Sequence, residues 1–312
     1  MQKEFPEPVY TLKPILRQGK LAMFHGPAGT NKSWIALDLA IAVASGTQWA
    51  NFPATEGVAV VVSLELTEAE LRERAEKQLA VHFEHDQAAQ EQALSRLVFL
   101  GEDSLEDGLP RLVDEVDALI GLIREYGAAL IVFDPLNRLH QADDSSAKEM
   151  TPVLASFDQM RRKTGCTVLF VHHDSKSGGG GEHKNASRGT GRFNQAPQLV
   201  VHIQKVNEDT RRVTFGKVNG GKTPEPVYFE ELHDETLGGA VRYQGETFQT
   251  NETRLLAAIV SNPGEGKSKL CELSGVPAES FSKAIKALKE SGQVEIRDNK
   301  YHPAAWRYEF EE

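Results

Sequence analysis

The residues that can do chemistry begin in one stretch, Lys20-Leu-Ala-Met-Phe-His-Gly26-Pro27-Ala28-Gly29-Thr30-Asn31-Lys32-Ser33-Trp34. A short apolar strand, a tight Gly- and Pro-containing loop and an amphipathic helix follow one another. In that order, loop N–H groups and a helix N-terminus converge on phosphate oxygens. Lys32 is placed to reach the β- and γ-phosphates of a nucleotide and the Ser33 hydroxyl to hold Mg²⁺. Asn31 stands where the phosphate-loop pattern has its second glycine. Context decides the reading, because Gly216-Lys-Val-Asn-Gly-Gly221-Lys222-Thr223 fits the pattern fully and still fails. Pro224 and Pro226 follow it, so no helix starts there, and strand-like runs on both sides make it a hairpin turn. Gly264-Glu-Gly266-Lys267-Ser268 fails too, since it follows a helix.

Three further polar positions close apolar, strand-like runs. Glu65 follows Gly57–Leu64, Asp134 follows Leu-Ile-Val-Phe, and His172-His173 follow Cys166–Val171. In a parallel sheet ligands sit at the carboxyl ends of strands, so these positions converge with the loop. Asp134 is read as a Mg²⁺ partner, against the alternative of a helix N-cap. Glu65 is read as the group that orients and deprotonates a water, against that of a first-turn helix acid. Adjacent histidines point to opposite faces of a strand, so one of the pair can sense the γ-phosphate while a shared zinc is disfavoured.

The elements that must position these groups alternate strand and helix up to about residue 173, which predicts a parallel sheet with right-handed crossovers. Expected helices follow Glu65, run from Leu109 to Tyr126, and run from Ser145 to Thr164. Residues 1–19 are expected across the surface of the first domain or as a disordered arm, and the Ser-Lys-Gly-rich residues 174–187 as a mobile loop. Runs at 199–206, 211–218, 226–231 and 240–248 predict consecutive antiparallel strands. The chain of 312 residues thus reads as an α/β domain over 1–250 and a small second domain over 251–312. In the latter, three helices and a hairpin predict a winged helix-turn-helix, with Lys283 and Lys286 on its recognition helix. The alternative is a small helical cap or a protein-contact module. A net charge of −10 argues against a wholly basic nucleic-acid binder but leaves local basic loops open. Two cysteines in separate segments argue against a disulfide framework, and the absence of a long apolar run argues against a membrane role. The expectation is a cytoplasmic protein.

Gly26–Ser33, the Ser63-Leu64-Glu65-Leu66 stretch, Leu130–Asp134-Pro135-Leu136, His172-His173 and Arg188-Gly189 together resemble the RepA-like ATPases of plasmids and phages, relatives of DnaB-type helicases among the RecA-like rings. The resemblance covers about residues 10–235. It implies a RecA-like core, ATP and Mg²⁺ as cofactors, a hexameric ring, translocation on single-stranded DNA and replication partner proteins. It assigns the general base to Glu65, the sensor to His172 or His173, and a phosphate contact, in cis or across a subunit boundary, to Arg188. Lys217 matches the first position of the family's Lys-x-Arg-x-Gly stretch, but Asn219 replaces its arginine. Hydrolysis is then expected to be slow, or Arg188 to supply the missing charge. DNA is expected along Arg138, Lys176 and Lys184, mainly through phosphates. The other function this sequence supports is an ATP-dependent DNA-binding regulator or loader that does not unwind.

Overall fold

The computed structural model describes residues 7–63, 65–84, 86–104, 112–140, 142, 146–174, 195–219, 221–233, 235–248 and 250–304. Arg188, Lys176 and Lys184 lie outside the described residues, as does most of the 174–187 stretch. The chain forms two compact units, Met1–Glu246 and Thr247–Glu312.

The larger unit is built on a nine-stranded sheet. In chain order its strands are β3 (Leu21–Gly26), β6 (Val58–Ser63), β7 (Leu97–Leu100), β8 (Ala128–Asp134), β9 (Thr167–His173), β10 (Leu199–Lys205), β11 (Thr210–Val218), β12 (Val227–Glu231) and β13 (Val241–Gly245). Across the sheet the order is β13-β12-β11-β10-β3-β9-β8-β6-β7. Pairing is parallel from β10 through to β7 and antiparallel from β10 out to β13. The outlying hairpins β1 (Tyr10–Leu12) with β2 (Leu16–Arg17), and β4 (Gln48–Trp49) with β5 (Phe52–Pro53), make two small antiparallel sheets.

Apolar side chains alternate between the two faces of the strands, so each face carries its own core. On one face pack α1 (Lys32–Ser45) and α2 (Glu68–Phe83), with α3 (Gln87–Leu94) beside them. Phe24, Val61, Leu130, Leu169 and Val201 point into that core. On the other face pack α4 (Val116–Glu125) and α5 (Ala147–Thr164), against Met23, Val60, Ile131, Phe170 and Val200. The α1 helix is buried nearly all round, which its apolar run Ile35–Ala44 requires.

The structure refines three expectations. Residues 7–19 run over the larger unit with residues 7–9, Lys13, Pro14, Arg17 and Gln18 exposed, but they anchor Leu12, Ile15 and Leu16 in the α1-side core. The helix expected from Leu109 starts, among the described residues, only at Val116. Leu112 is instead fully buried and its N–H bonds Leu139 O, which draws this stretch onto the turn after β8. The helix after Glu65 starts at Glu68 because Thr67 and Glu70 form a reciprocal cap.

The smaller unit holds α6 (Asn251–Ser261), α7 (Lys267–Ser274), α8 (Ala278–Glu290) and the hairpin β14 (Val294–Arg297) with β15 (Lys300–Pro303). Its core is Leu255, Ile259, Leu270, Phe281, Ile285 and Leu288. Lys283 and Lys286 lie on the exposed face of α8, opposite Phe281 and Ile285.

Candidate functional site

The loop Pro27–Asn31 leaves β3 and enters α1. Gly26, buried at φ +157°, sits so close to β10 that a Cβ there would lie 2.1 Å from Ile203 O. No side chain fits that position. Gly29 has φ +73° and open space around it, as backbone approached by a ligand requires. Pro27, Ala28 and Gly29 are exposed, whereas Thr30 and Lys32 are buried. Thr30 Oγ1 donates to Pro27 O at 2.9 Å and Lys32 Nζ donates to the same oxygen at 2.7 Å. The loop is therefore held curled by its own side chains. Burial lowers the Lys32 pKa to about 8, although the carboxylates of Asp134 and Asp174 pull it the other way.

Ser33 and Trp34 open α1. Ser33 is hydrogen-bonded to Asp134, the last residue of β8, two strands away from β3. Burial raises the Asp134 pKa, opposed by the Ser33 bond and by the charge of Lys32. Asp134 falls on the α1 face of the sheet, in register with Ser63, the last residue of β6. Glu65 follows Ser63 and is exposed; its N–H donates to Ser63 Oγ at 3.3 Å. Its carboxylate is close enough to Asp134 and His173 to act on both electrostatically. Five groups from four neighbouring strand ends thus meet: Lys32, Ser33, Asp134, Glu65 and His173.

The two histidines part company. His173 is exposed, and its pKa is lowered first by burial of part of its ring and then by the charge of Lys32, with Glu65 opposing. His172 is buried on the other face, in register with His25 of β3, so it does not face the phosphate loop. On that same face His25, His202 and Asp174 cluster. His25 Nδ1 lies 3.0 Å from Asp174 Oδ1, His202 Nε2 lies 3.5 Å from Asp174 Oδ2, and the two imidazoles stack at 4.6 Å. Burial alone works to raise the Asp174 pKa, but the flanking His202 and His25 rings win and hold it well below the usual carboxylate range. Asp174 N also donates to Gly26 O at 3.1 Å, tying the end of β9 to the phosphate loop. Sequence reasoning passed over this cluster, although strand alternation puts residues 172 and 174 on one face.

Arg138 does not project freely. The turn Leu136–Arg138 curls over the strand ends, and Arg138 Nε contacts Glu65 Oε1 at 3.3 Å. A cavity of about 470 Å³ beside Arg138 and Pro152 is lined by none of the phosphate-loop residues. Lys217 is not brought to the phosphate loop of its own chain. It pairs with Val200 and so lies level with Met23, three residues before Gly26, and its Nζ donates to Gln195 O at 2.5 Å. Trp34 packs under Gly239 and beneath the Arg74 guanidinium, 5.5 Å from its ring centre. Arg211 of β11, absent from the sequence reading, bonds Asn31 with Nε and Nη2 at 3.3 and 3.1 Å. No local sequence signal marks it, since its partner is 180 residues away.

The donor set fits a nucleotide phosphate with Mg²⁺. The loop offers backbone that only glycine permits at Gly26, a buried ammonium, and a hydroxyl beside a carboxylate, which is hard-oxygen chemistry. Mg²⁺ bound there would neutralise charge on the phosphate oxygens.

The fold agrees with a solved structure, that of a DnaB-like replicative helicase described with its interactions with primase. The TM-score is 0.51 at 11% identity, over 70% of this chain and 58% of that one. Less than two thirds of that helicase's length is therefore spanned. No helix among the described residues is long and apolar enough to cross a membrane. The family model described as an AAA domain matches residues 1–179, more than half of the chain and the whole stretch from the phosphate loop to His173. With that match and this cluster of groups, the chain belongs to the AAA domain family.

Proposed function

We propose that this protein is an ATP-hydrolysing motor of the RepA-like kind, acting on single-stranded DNA as a hexameric ring and serving as a replicative helicase of a plasmid or phage. The observation that carries the reading is the meeting of Lys32, Ser33, Asp134, Glu65 and His173 at the carboxyl ends of adjacent strands. In it, Lys32 and the loop N–H groups hold the β- and γ-phosphates, and Ser33 with Asp134 holds Mg²⁺. Glu65 takes the proton of the attacking water, and His173 contacts the γ-phosphate. DNA contact by Arg138, and by Lys176 and Lys184, belongs to this reading, as do Arg188 and Lys217 acting on phosphate. Strand displacement on forked DNA tests it, alongside ATPase rate with and without single-stranded DNA and mass measurement with nucleotide. Absence of unwinding at every ATP and Mg²⁺ concentration excludes a helicase.

A second reading is an ATP-dependent regulator or loader. Two observations favour it: Asn219 stands where a ring-type arginine is expected, and the smaller unit holds three helices and a hairpin, the elements that a winged helix-turn-helix would need. In that reading Lys283 and Lys286 meet duplex phosphates. Duplex binding that Lys283→Ala with Lys286→Ala weakens, without unwinding by the intact protein, supports it.

A further inference from the structure

Asn31 occupies the left-handed region, with φ 58° and ψ 28°, immediately before Lys32. Among residues with a Cβ, asparagine tolerates this conformation best, through local hydrogen bonding of its amide. At the start of a helix an asparagine normally turns that amide oxygen onto the N–H of the second or third helical residue. Asn31 does not: α1 receives no side-chain cap. Its Oδ1 is instead bound by Arg211 Nε and Nη2, and its Nδ2 donates to Gly239 O at 3.4 Å. Arg211 is itself almost fully buried, with Nη1 donating to Asn207 O and Glu208 O at 3.3 and 2.9 Å and its other side paired with Glu231. A guanidinium fork anchored on Asn207 O, Glu208 O and Glu231 is pre-organised to hold one amide oxygen.

From this we infer that Arg211 is a positioning residue for the nucleotide site: it draws the Asn31 side chain off the N-terminus of α1, so that the helix N–H groups stay available to a nucleotide's phosphates. The inference rests on reading residues 26–33 as the phosphate loop. It also explains why an asparagine can stand at a glycine position. A glycine has no amide to fold back onto the helix, whereas asparagine needs a partner that competes for it. Arg211 comes from the antiparallel part of the sheet, so that extension completes the phosphate site as well as widening the sheet.

Titration of a fluorescent ATP analogue with Mg²⁺ into the full-length protein tests the inference. Arg211→Met is expected to weaken binding about ten- to a hundredfold, the range for losing hydrogen bonds from a charged donor. Whatever level Asn31→Gly alone sets, the double variant should bind as Asn31→Gly does and not as Arg211→Met does. A merely structural arginine would not be rescued by that glycine. If Arg211→Met does not fold, as judged by circular dichroism, Arg211→Lys decides: one ammonium cannot reproduce the two-bond fork on Asn31, so this variant should bind more weakly than the same lysine combined with Asn31→Gly. Rescue of the double variant Asn31→Gly, Arg211→Met to a folded, nucleotide-binding protein supports the inference. Binding by Arg211→Met equal to the parent, or a double variant as weak as Arg211→Met, overturns it. Failure of the parent to bind the analogue at all would instead overturn the phosphate-loop reading itself.

Discussion

Lys32 holds its charge at a cost. Its ammonium is buried against Pro27 O, and its pKa is lowered to about 8. The sign follows from linkage. Phosphate binding needs the ammonium, so above pH 8 the free protein must take up a proton to bind, and affinity falls by up to about tenfold per pH unit. Titration of the nucleotide analogue between pH 7 and 9.5 measures this, and a flat profile would contradict it. The unfolded chain binds that proton more tightly, so Lys32 favours folding increasingly as pH rises from about 8 toward 10.5. Glu65→Gln separates chemistry from binding: nucleotide affinity should be retained while steady-state hydrolysis falls about 10²–10⁴-fold, as for loss of a general base. A rate equal to the parent's would remove Glu65 from that role. Arg138 contacts the same carboxylate. Arg138→Ala should therefore change stimulation of hydrolysis by single-stranded DNA more than the basal rate, in a comparison of the two rates at fixed ATP.

At the scale of elements, the phosphate loop is held by strands on both sides of β3. Gly26 lies against Ile203 of β10, and Asp174 at the end of β9 bonds back to Gly26 O. Gly26→Ala puts a methyl group where backbone already stands, so loop or strand must shift. The expected result is a lowered melting temperature together with lost nucleotide binding, measured by thermal unfolding with and without MgATP. Gly239 makes a parallel case at the far side of α1. Its φ is +91° and a Cβ would come within 2.9 Å of the Trp34 ring. Gly239→Ala should displace Trp34, and intrinsic fluorescence reports it directly. Asp174 anchors this region against acid. Its depressed pKa means that its contribution is complete above about pH 4, the unfolded carboxylate value, and fades as pH falls below that.

At the scale of the whole molecule, two units with separate cores predict separable unfolding. Calorimetry should resolve two transitions, of which MgATP raises only that of the larger unit, because only N-state binding there adds stability. One transition that moves as a whole would show that the units unfold together. The sequence alone determined the strand–loop–helix of residues 20–44, the alternation that builds the parallel sheet, and the residue types Lys32, Glu65, Asp134 and the His172-His173 pair, since each is written as a local pattern of apolar runs closed by polar residues. Tertiary structure decided what no local pattern contains. It put His173 on the α1 face of the sheet and His172 on the other, anchored Leu12, Ile15 and Leu16 in the core, turned Arg138 onto Glu65, and brought Arg211 to Asn31 across 180 positions. The physical reason is that periodicity fixes an element and its faces, whereas strand order and the packing of distant segments depend on contacts whose partners the neighbouring residues do not encode.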